Sequence, residues 1–209
     1  MIEVLAYSIK YRFPVLFRAA EKVARVVTTL RFGARIRRAR SRAGIHGAVR
    51  DRCAVMHPLD VVDINHLCAF IESLPQEHLR YFKPHRFDRA SLQEVLRSQA
   101  FLSYGLFVDN RLVGYALLKT YPTGTAFIGR VIHPDYAGMG LGSFLARYLY
   151  WQASLANLRA RSTISRHNTA SLASHRAVAD YRVVAELPNE YLLVEFCPLT
   201  AEPPELSIS

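Results

Sequence analysis

The sequence lacks the features that would place the protein in a membrane, in a secretory route or around a structural metal. No uncharged apolar run approaches the roughly 18 residues that a membrane-spanning helix needs. The amino terminus lacks the basic start, apolar block and small-residue cleavage site of a signal peptide. Three cysteines occur, Cys53, Cys68 and Cys197, and no two of them form a C-x-x-C pair. We therefore expect reduced thiols in a cytoplasmic protein, with no disulfide and no bound metal.

Acidic residues are scarce at one end of the chain. Residues 1–50 contain ten arginines and two lysines against Glu3 and Glu21, a balance of +10, and the rest of the chain carries equal numbers of both signs. With 209 residues and 51% apolar composition, the chain is long enough for one sizeable α/β domain plus an extension. Two differently built segments therefore share the chain.

The basic segment has the pattern of one helix followed by a charged run. Pro14 stands where a helix can begin, and the run from Arg35 to Arg40 is too charged to bury. Gly44 and Gly47 then indicate a linker. We predict a basic, amphipathic helical extension and linker over residues 1–47, a domain over 48–198 and a tail over 199–209. Spacings of three and four place the following apolar residues on one helical stripe: Leu16, Ala19, Val23, Val26, Val27 and Leu30.

Several roles are open for this extension. It packs as a surface helix on the neighbouring domain or on a second copy of the chain, which would give a homodimer. Alternatively it lies on an anionic membrane surface, which would make the protein peripheral at the membrane. An organellar transit peptide is a further alternative, although the segment is poor in serine. Nucleic acid is not expected, because aromatic residues interleaved for base stacking are absent.

The neutral part alternates between strand-like and helix-like segments. A first strand is predicted over residues 49–56, and Asp60 is predicted to cap the helix that follows. A polar, aromatic loop, "PQEHLRYFKPHRFD", precedes a short helix at 91–98. The remaining pattern predicts a hairpin of strands at 101–108 and 112–120, a strand at 125–133, a helix from residue 141, a strand at 160–165, a helix at 169–178, and strands at 181–185 and 191–196.

Three alternate glycines, Gly138, Gly140 and Gly142, stand between a predicted strand and a predicted helix in "HPDYAGMGLGS". Glycines there let backbone N–H groups at a helix start face an anion, aided by the helix dipole. A dinucleotide-binding fingerprint would need a glycine at Ser143, and a Walker A loop would need a lysine that the segment lacks. We therefore predict a phosphate or pyrophosphate ligand; the alternative is a glycine-rich turn without a ligand.

The strand "FIGRVI", then "HPDY" and "AGMGLG", then an apolar helix resemble motif A of the GCN5-related N-acetyltransferases, the GNAT superfamily. The usual form of that motif is V-x-P-x-[YF]-[QR]-x-x-G-x-[GA]. Downstream, "NTASLASHRAVADY" resembles the family's N-x-x-[AS]-x-x-x-Y-x-x-x-G-F stretch, with Asn168 and Ser171 in place. The resemblance spans residues 49–196. It implies an α+β fold with a mostly antiparallel central sheet of six to seven strands flanked by helices.

The resemblance implies an acetyl-CoA-dependent N-acetyltransferase that uses no metal. In this family, loop amides hold the pyrophosphate, and a splayed strand pairs with the pantetheine arm and polarises the thioester carbonyl through one amide. The cofactor-binding residues that the resemblance implies are Arg130, Val131 and Ile132 on the strand, Ala137, Gly138, Met139, Gly140, Leu141, Gly142 and Ser143 at the loop, and Asn168.

Three departures from the family pattern bear on the chemistry. Ala137 replaces the usual glutamine or arginine, which removes a polar contact. His175 replaces the usual tyrosine seven residues after the asparagine, and Ala179-Asp180 replaces the usual glycine-phenylalanine pair. Because seven residues make two helical turns, His175 shares a face with the asparagine. We predict His175, as an imidazolium, to be the general acid, with Tyr181 as the competing donor.

Acetyl transfer to an amine also needs a base that removes the ammonium proton. The candidates are His133, at the end of the predicted strand, and the substrate-side residues His85 and Asp88 in the loop "KPHRFD". A partly exposed strand end is the structural alternative for His133, and a plain loop residue is the alternative for His85.

The acceptor is predicted from the loop "LPQEHLRYFKPHRFD", which resembles a segment of family members that modify sugars and polysaccharides. The resemblance implies an amino-sugar acceptor, free or nucleotide-linked. Arg80, Lys83 and Arg86 would suit the diphosphate of a nucleotide. The alternatives are a protein amine or a polyamine as acceptor, or a non-catalytic sensor or adaptor that binds an acyl-CoA.

Overall fold

The computed structural model describes residues 14–197 and 202–208. Its helices are α1 (Pro14–Ser41), α2 (Ile64–Ser73), α3 (Arg89–Arg97), α4 (Leu141–Leu155) and α5 (Thr169–Arg176). Its strands are β1 (Ile45–Val49), β2 (Arg52–Pro58), β3 (Phe101–Val108), β4 (Arg111–Thr120), β5 (Thr125–Ile132), β6 (Arg159–Ser165), β7 (Tyr181–Leu187), β8 (Tyr191–Phe196) and β9 (Ser207–Ile208). Short 3₁₀ turns cover Val61–Asp63 and Pro134–Tyr136.

The strands form one sheet in the order β7-β8-β6-β5-β4-β3-β2-β1-β9. The pairs β5–β6 and β1–β9 are parallel and the other pairs are antiparallel. This is the predicted α+β fold, but with nine strands instead of six to seven. A β1–β2 hairpin replaces the single strand predicted over 49–56, because Arg50 and Asp51 adopt left-handed φ angles of 48° and 61° and turn the chain.

Helices cover both faces of the sheet, and β4 shows how the sequence divides between them. Ala116 and Leu118 belong to the core cluster that contains α4 and the second half of α1. Tyr115 and Leu117, which alternate with them, belong to the cluster under α2 and α3. Because successive strand residues point to opposite faces, a nearly continuous apolar strand is buried on both sides.

The amino-terminal helix is part of the core, which differs from the predicted division of the chain. Phe32, Ile36 and Ala39 are buried in the α4-side cluster, and the Tyr148 hydroxyl donates to the Ala43 carbonyl oxygen at 2.7 Å. Residues 45–47 of the predicted linker form β1 rather than a loose connection. We therefore place the start of the domain inside α1.

Part of the predicted tail also joins the sheet. The amide of Ala48 donates to the Leu206 carbonyl oxygen at 2.9 Å, and β9 pairs with β1. A Cβ at Gly47 would lie 1.8 Å from that same oxygen, so glycine is required there by close approach and not by a turn. Residues 1–13, 198–201 and 209, with the side chains of Leu16 and Ala19, lie outside the described part.

Among the described residues, no helix combines the length and the apolarity that crossing a membrane requires.

Candidate active site

A gap opens in the middle of the sheet where β5 and β6 part. Parallel pairing holds these strands together at Thr125–Arg159, Ala126–Ala160 and Phe127–Arg161 and goes no further. On its other side β5 stays paired with β4 as far as Ile132. The second half of β5 therefore presents an unpaired edge within the sheet, which is the splayed strand that the family resemblance implied.

Backbone alternation determines which residues of β5 face the gap. The amide of His133 donates to the carbonyl oxygen of Val113 in β4, and the carbonyl oxygen of Thr125 accepts from the amide of Tyr121. The N–H and C=O groups of the odd-numbered residues between them therefore point toward β4. Arg130 and Ile132 therefore direct their N–H and C=O groups into the gap. Val131, which the resemblance also named as cofactor-binding, instead directs its backbone groups toward Tyr115 of β4.

The glycine loop surrounds open space at the start of α4. Gly138 and Gly140 have φ angles of +75° and +79°, and a Cβ added at either would meet nothing within 4 Å. In the described part of the chain, the loop amides without a hydrogen-bond acceptor are those of Gly138, Met139, Gly140, Leu141 and Gly142. Five free N–H groups around an empty cradle at a helix N-terminus fit a diphosphate.

The two ends of the predicted loop are used differently. The amide of Ala137 donates to the Pro134 carbonyl oxygen and that of Ser143 donates to the Gly140 carbonyl oxygen, both within the protein. The side chain of Leu141 is buried in the core under the loop. The amides available to a ligand are therefore those of residues 138–142, a shorter set than the sequence predicted.

The side chain of Arg130 joins three elements beside the gap. Its Nε donates to the Gly142 carbonyl oxygen at 3.0 Å, Nη2 to Ser174 Oγ at 2.5 Å and Nη1 to His175 Nε2 at 3.1 Å. Burial lowers the pKa of Arg130 to about 10, so the guanidinium is still charged at neutral pH. A cation held under the glycine loop by neutral partners adds to the affinity of the loop for an anion.

His175 is locked as a neutral imidazole in this arrangement. Because a guanidinium can only donate, His175 Nε2 accepts from Arg130, and the proton therefore sits on Nδ1 and faces the hydroxyl oxygen of Tyr150. Burial, together with the charge of Arg130, lowers the pKa of His175 to about 2. The imidazolium predicted as general acid is therefore not available at neutral pH, and His175 instead orients Arg130.

Tyr181 and Asn168 both form hydrogen bonds with residues close to them in the chain. The Tyr181 hydroxyl accepts from Arg176 Nε at 3.1 Å, which leaves its own proton free to donate. Its ring packs edge-on against Phe196, the ring on which His175 also stacks. The side-chain oxygen of Asn168 caps α5 by accepting from the Ser171 amide at 3.1 Å.

His133 directly follows β5, and its side chain is largely buried. Its Nδ1 lies 3.3 Å from both the Asp135 amide nitrogen and Asp135 Oδ2. Because the Asp135 amide donates to Nδ1, the proton of a neutral ring sits on Nε2, and His133 caps the short turn that follows β5.

The substrate-side residues His85 and Asp88 are both engaged inside the protein. His85 Nδ1 donates to the Arg86 carbonyl oxygen at 2.8 Å, and its Nε2 accepts from the Tyr115 hydroxyl at 3.0 Å. Burial lowers the pKa of His85. Asp88 caps α3 by accepting from the amide and hydroxyl of Ser91. Both ring nitrogens of His85 are therefore occupied, and the carboxylate of Asp88 is also paired with Arg86 at 3.0 Å.

The loop that carries these residues, residues 75–88, lies against the splayed strand. Phe82 is buried next to Gly129 of β5, where an added Cβ would lie 3.1 Å from the phenyl ring. The side chains of Arg80, Lys83 and Arg86 are exposed on the same loop. The loop is thus anchored on β5 through Phe82 and carries three exposed cations.

Sequence reasoning missed two residues of the Arg130 cluster, Tyr150 and Ser174. Tyr150 lies in a helix of which ten of fifteen residues are buried, so the sequence did not distinguish its hydroxyl from the core positions around it. The sequence around Ser174 indicates only a residue of a short helix. No group of three or more histidine, cysteine or acidic side chains in the described residues is placed to hold a metal.

Comparisons with known proteins agree with this geometry. Among solved structures, the GNAT domain of PAT from S. lividans superposes with a TM-score of 0.64 at 15% identity, covering 74% of this chain and 96% of that one. The PaiA N-acetyltransferase of Thermoplasma acidophilum, solved with coenzyme A, has a TM-score of 0.58 at 16% identity, covering 68% and 97%. The ribosomal-protein-S5-alanine acetyltransferase of Vibrio fischeri has a TM-score of 0.58 at 14% identity, covering 72% and 96%.

No curated protein matches the sequence. The model of the acetyltransferase (GNAT) family matches residues 64–179, which include the glycine loop, the splayed strand and the Arg130 cluster. The chain therefore belongs to the GNAT acetyltransferase family and is an acetyl-CoA-dependent N-acetyltransferase.

Proposed function

We propose that the protein acetylates the primary amine of an amino sugar, with a nucleotide-linked amino sugar as the preferred acceptor. The observation that carries this proposal is the loop of residues 75–88, which is anchored by Phe82 against β5 and exposes Arg80, Lys83 and Arg86. Three exposed cations on this loop are suited to the diphosphate of a nucleotide sugar. Arg86 is already paired with Asp88 at 3.0 Å, whereas Arg80 and Lys83 have no acidic partner in the described part of the chain.

The chain's own groups divide the binding of the cofactor between loop and strand. Acetyl-CoA, when bound, supplies the acetyl thioester that the amine attacks. The free amides of residues 138–142 hold the pyrophosphate, helped by the N-terminus of α4 and by the charge of Arg130. The gap-facing N–H and C=O groups of Arg130 and Ile132 pair with the amide-rich pantetheine arm, and one of these N–H groups polarises the thioester carbonyl.

Proton transfer falls to groups other than His175. His133 takes the ammonium proton, directly or through water; a proton taken up at Nδ1 would face the carboxylate of Asp135, whose Oδ2 lies 3.3 Å away. Tyr181 supplies the proton for the leaving thiolate, because its hydroxyl accepts from Arg176 and can still donate. His175 acts as a positioning residue that holds the guanidinium of Arg130.

A protein amine is the second candidate acceptor. Structural neighbours include ribosomal-protein-alanine acetyltransferases of Vibrio fischeri and Escherichia coli, with TM-scores of 0.58 and 0.50. The identities of 14% and 13% relate these proteins to this chain through the fold, so the acceptor has to be decided by assay.

Two measurements test the proposal. Gly140→Asp places a carboxylate in the cradle and a side chain at a left-handed φ, so we expect calorimetry to detect no acetyl-CoA binding in a folded variant. Gly44→Asp is the matched control, since Gly44 also has open space around it but lies far along the chain from the loop. Undiminished acetyl-CoA affinity in Gly140→Asp would refute the assignment of the loop.

The acceptor is then identified by coenzyme A release with a panel of amines. We expect a nucleotide-linked amino sugar to have a higher kcat/KM than the free amino sugar, a polyamine or a peptide amine. Replacing Arg80, Lys83 and Arg86 together with glutamine should raise KM for the nucleotide-linked sugar alone. A peptide as best acceptor would refute the amino-sugar proposal while leaving the acetyltransferase assignment intact.

A further inference from the structure

Helix α1 has a second apolar face that the domain does not cover. Its inner face packs through Thr28, Phe32, Ile36 and Ala39, all buried. The opposite side carries an outer stripe of four large apolar residues at helical spacing, and their side chains remain in solvent. The exposed fractions are 64% for Val23, 60% for Val26, 41% for Val27 and 82% for Leu30.

A contiguous exposed stripe differs from the single apolar residues that any protein surface carries. The other large apolar side chains that are exposed in the described part, Val62, Val183 and Val184, lie on other elements. The sequence predicted an apolar stripe through these positions of α1 but left open whether the domain would cover it. The domain instead covers the opposite face of the helix.

Basic side chains border the outer stripe, and the acids nearby are already paired. Lys22, Arg31 and Arg38 are exposed on α1 beside the stripe. Glu21, the one acid in α1, binds Lys119 at 2.6 Å, and Glu94 of α3 binds Arg25 at 2.5 Å. The face therefore combines apolar side chains with uncompensated positive charge.

We propose that the outer stripe docks on an anionic lipid surface, with its apolar side chains in the headgroup region and the flanking cations on lipid phosphates. An amphipathic helix of this kind lies in the plane of the interface. A second copy of the chain is a poorer partner, because two-fold pairing would bring the basic borders of two stripes together. This docking is independent of the acetyl-transfer proposal.

The test is co-sedimentation of the full chain with vesicles. We expect binding to vesicles of phosphatidylcholine mixed with phosphatidylglycerol, little binding to phosphatidylcholine alone, and loss of binding at high salt. Val23→Gln/Leu30→Gln should abolish sedimentation, and Arg31→Gln/Arg38→Gln should weaken it roughly fivefold for each charge removed. Matched controls are Val62→Gln, an equally exposed valine, and Arg97→Gln, an exposed arginine of α3, which should bind as the unaltered protein does.

Coenzyme A release assays on the same variants show whether the domain is intact, since none of these residues lines the gap. Equal binding to both vesicle types, or unchanged binding of the stripe variant, would overturn the proposal. Sedimentation velocity gives a further decisive outcome. A dimer that dissociates in Val23→Gln/Leu30→Gln, with no lipid binding, would assign the stripe to a second copy of the chain.

Discussion

Acidification should destabilise the protein through His175, and the size of the effect follows from the site. In the unfolded chain a histidine has a pKa near 6.5. In the folded protein, burial and the guanidinium of Arg130 lower the pKa of His175 to about 2. Between these values the unfolded state binds one more proton than the native state, so stability is present above the unfolded pKa and falls as the pH drops.

The magnitude can be worked out from these two pKa values. From about pH 7 to about pH 5, the unfolded histidine becomes almost fully protonated while the native one stays neutral, which costs about 2 kcal/mol of unfolding free energy. Below that range the loss continues at about 1.4 kcal/mol per pH unit until the native pKa is reached. The result at pH 5 is insensitive to the native value, provided that it stays well below 5.

The assay is urea unfolding at a series of pH values for the unaltered protein and His175→Gln. Glutamine keeps an acceptor for Arg130 but does not titrate, so the variant should lose about 2 kcal/mol less over the same range. His78→Gln is the control, because it makes the same exchange at an exposed histidine outside the Arg130 cluster. Parallel curves for the unaltered protein and His175→Gln would refute the neutral, locked imidazole.

Two further predictions concern the chain boundary and the acid. Deleting residues 1–47 removes Phe32, Ile36 and three of the five residues of β1, so we expect the truncated chain to lose cooperative thermal unfolding in calorimetry; a truncated chain with unchanged melting and turnover would separate the extension from the domain. Tyr181→Phe should lower kcat by about 10²-fold with acetyl-CoA affinity kept, whereas Tyr121→Phe should not; an unchanged kcat would remove Tyr181 from the reaction.

The sequence predicted the features that depend on local geometry. Left-handed φ angles at Gly138 and Gly140 favour glycine, so the loop could be predicted from residue types alone. Apolar runs separated by turn residues likewise predicted β3 to β5 within a residue or two of their observed ends. Each of these patterns involves residues that are close together in the sequence, and tertiary contacts favour the same structure.

The features it did not predict depend on contacts between distant segments. Gly47 was interpreted as part of a linker because glycine is common in linkers, whereas its role is to admit the carbonyl oxygen of Leu206. The protonation state of His175 is set by Arg130 of β5, Tyr150 of α4 and the ring of Phe196 of β8. None of these partners can be inferred from the spacing within α5.

Because β5 and β6 separate, the sheet consists of two parts that are joined by few hydrogen bonds. Three paired positions join the strands β6 to β8 to the rest of the sheet, while β4 and β5 pair along seven. The carboxyl-terminal strands should thus form the unit that opens first in native-state hydrogen exchange. A cofactor lying along the gap would take the place of a strand and bridge the two parts of the sheet. Binding of the cofactor should therefore also oppose the local opening of the carboxyl-terminal strands.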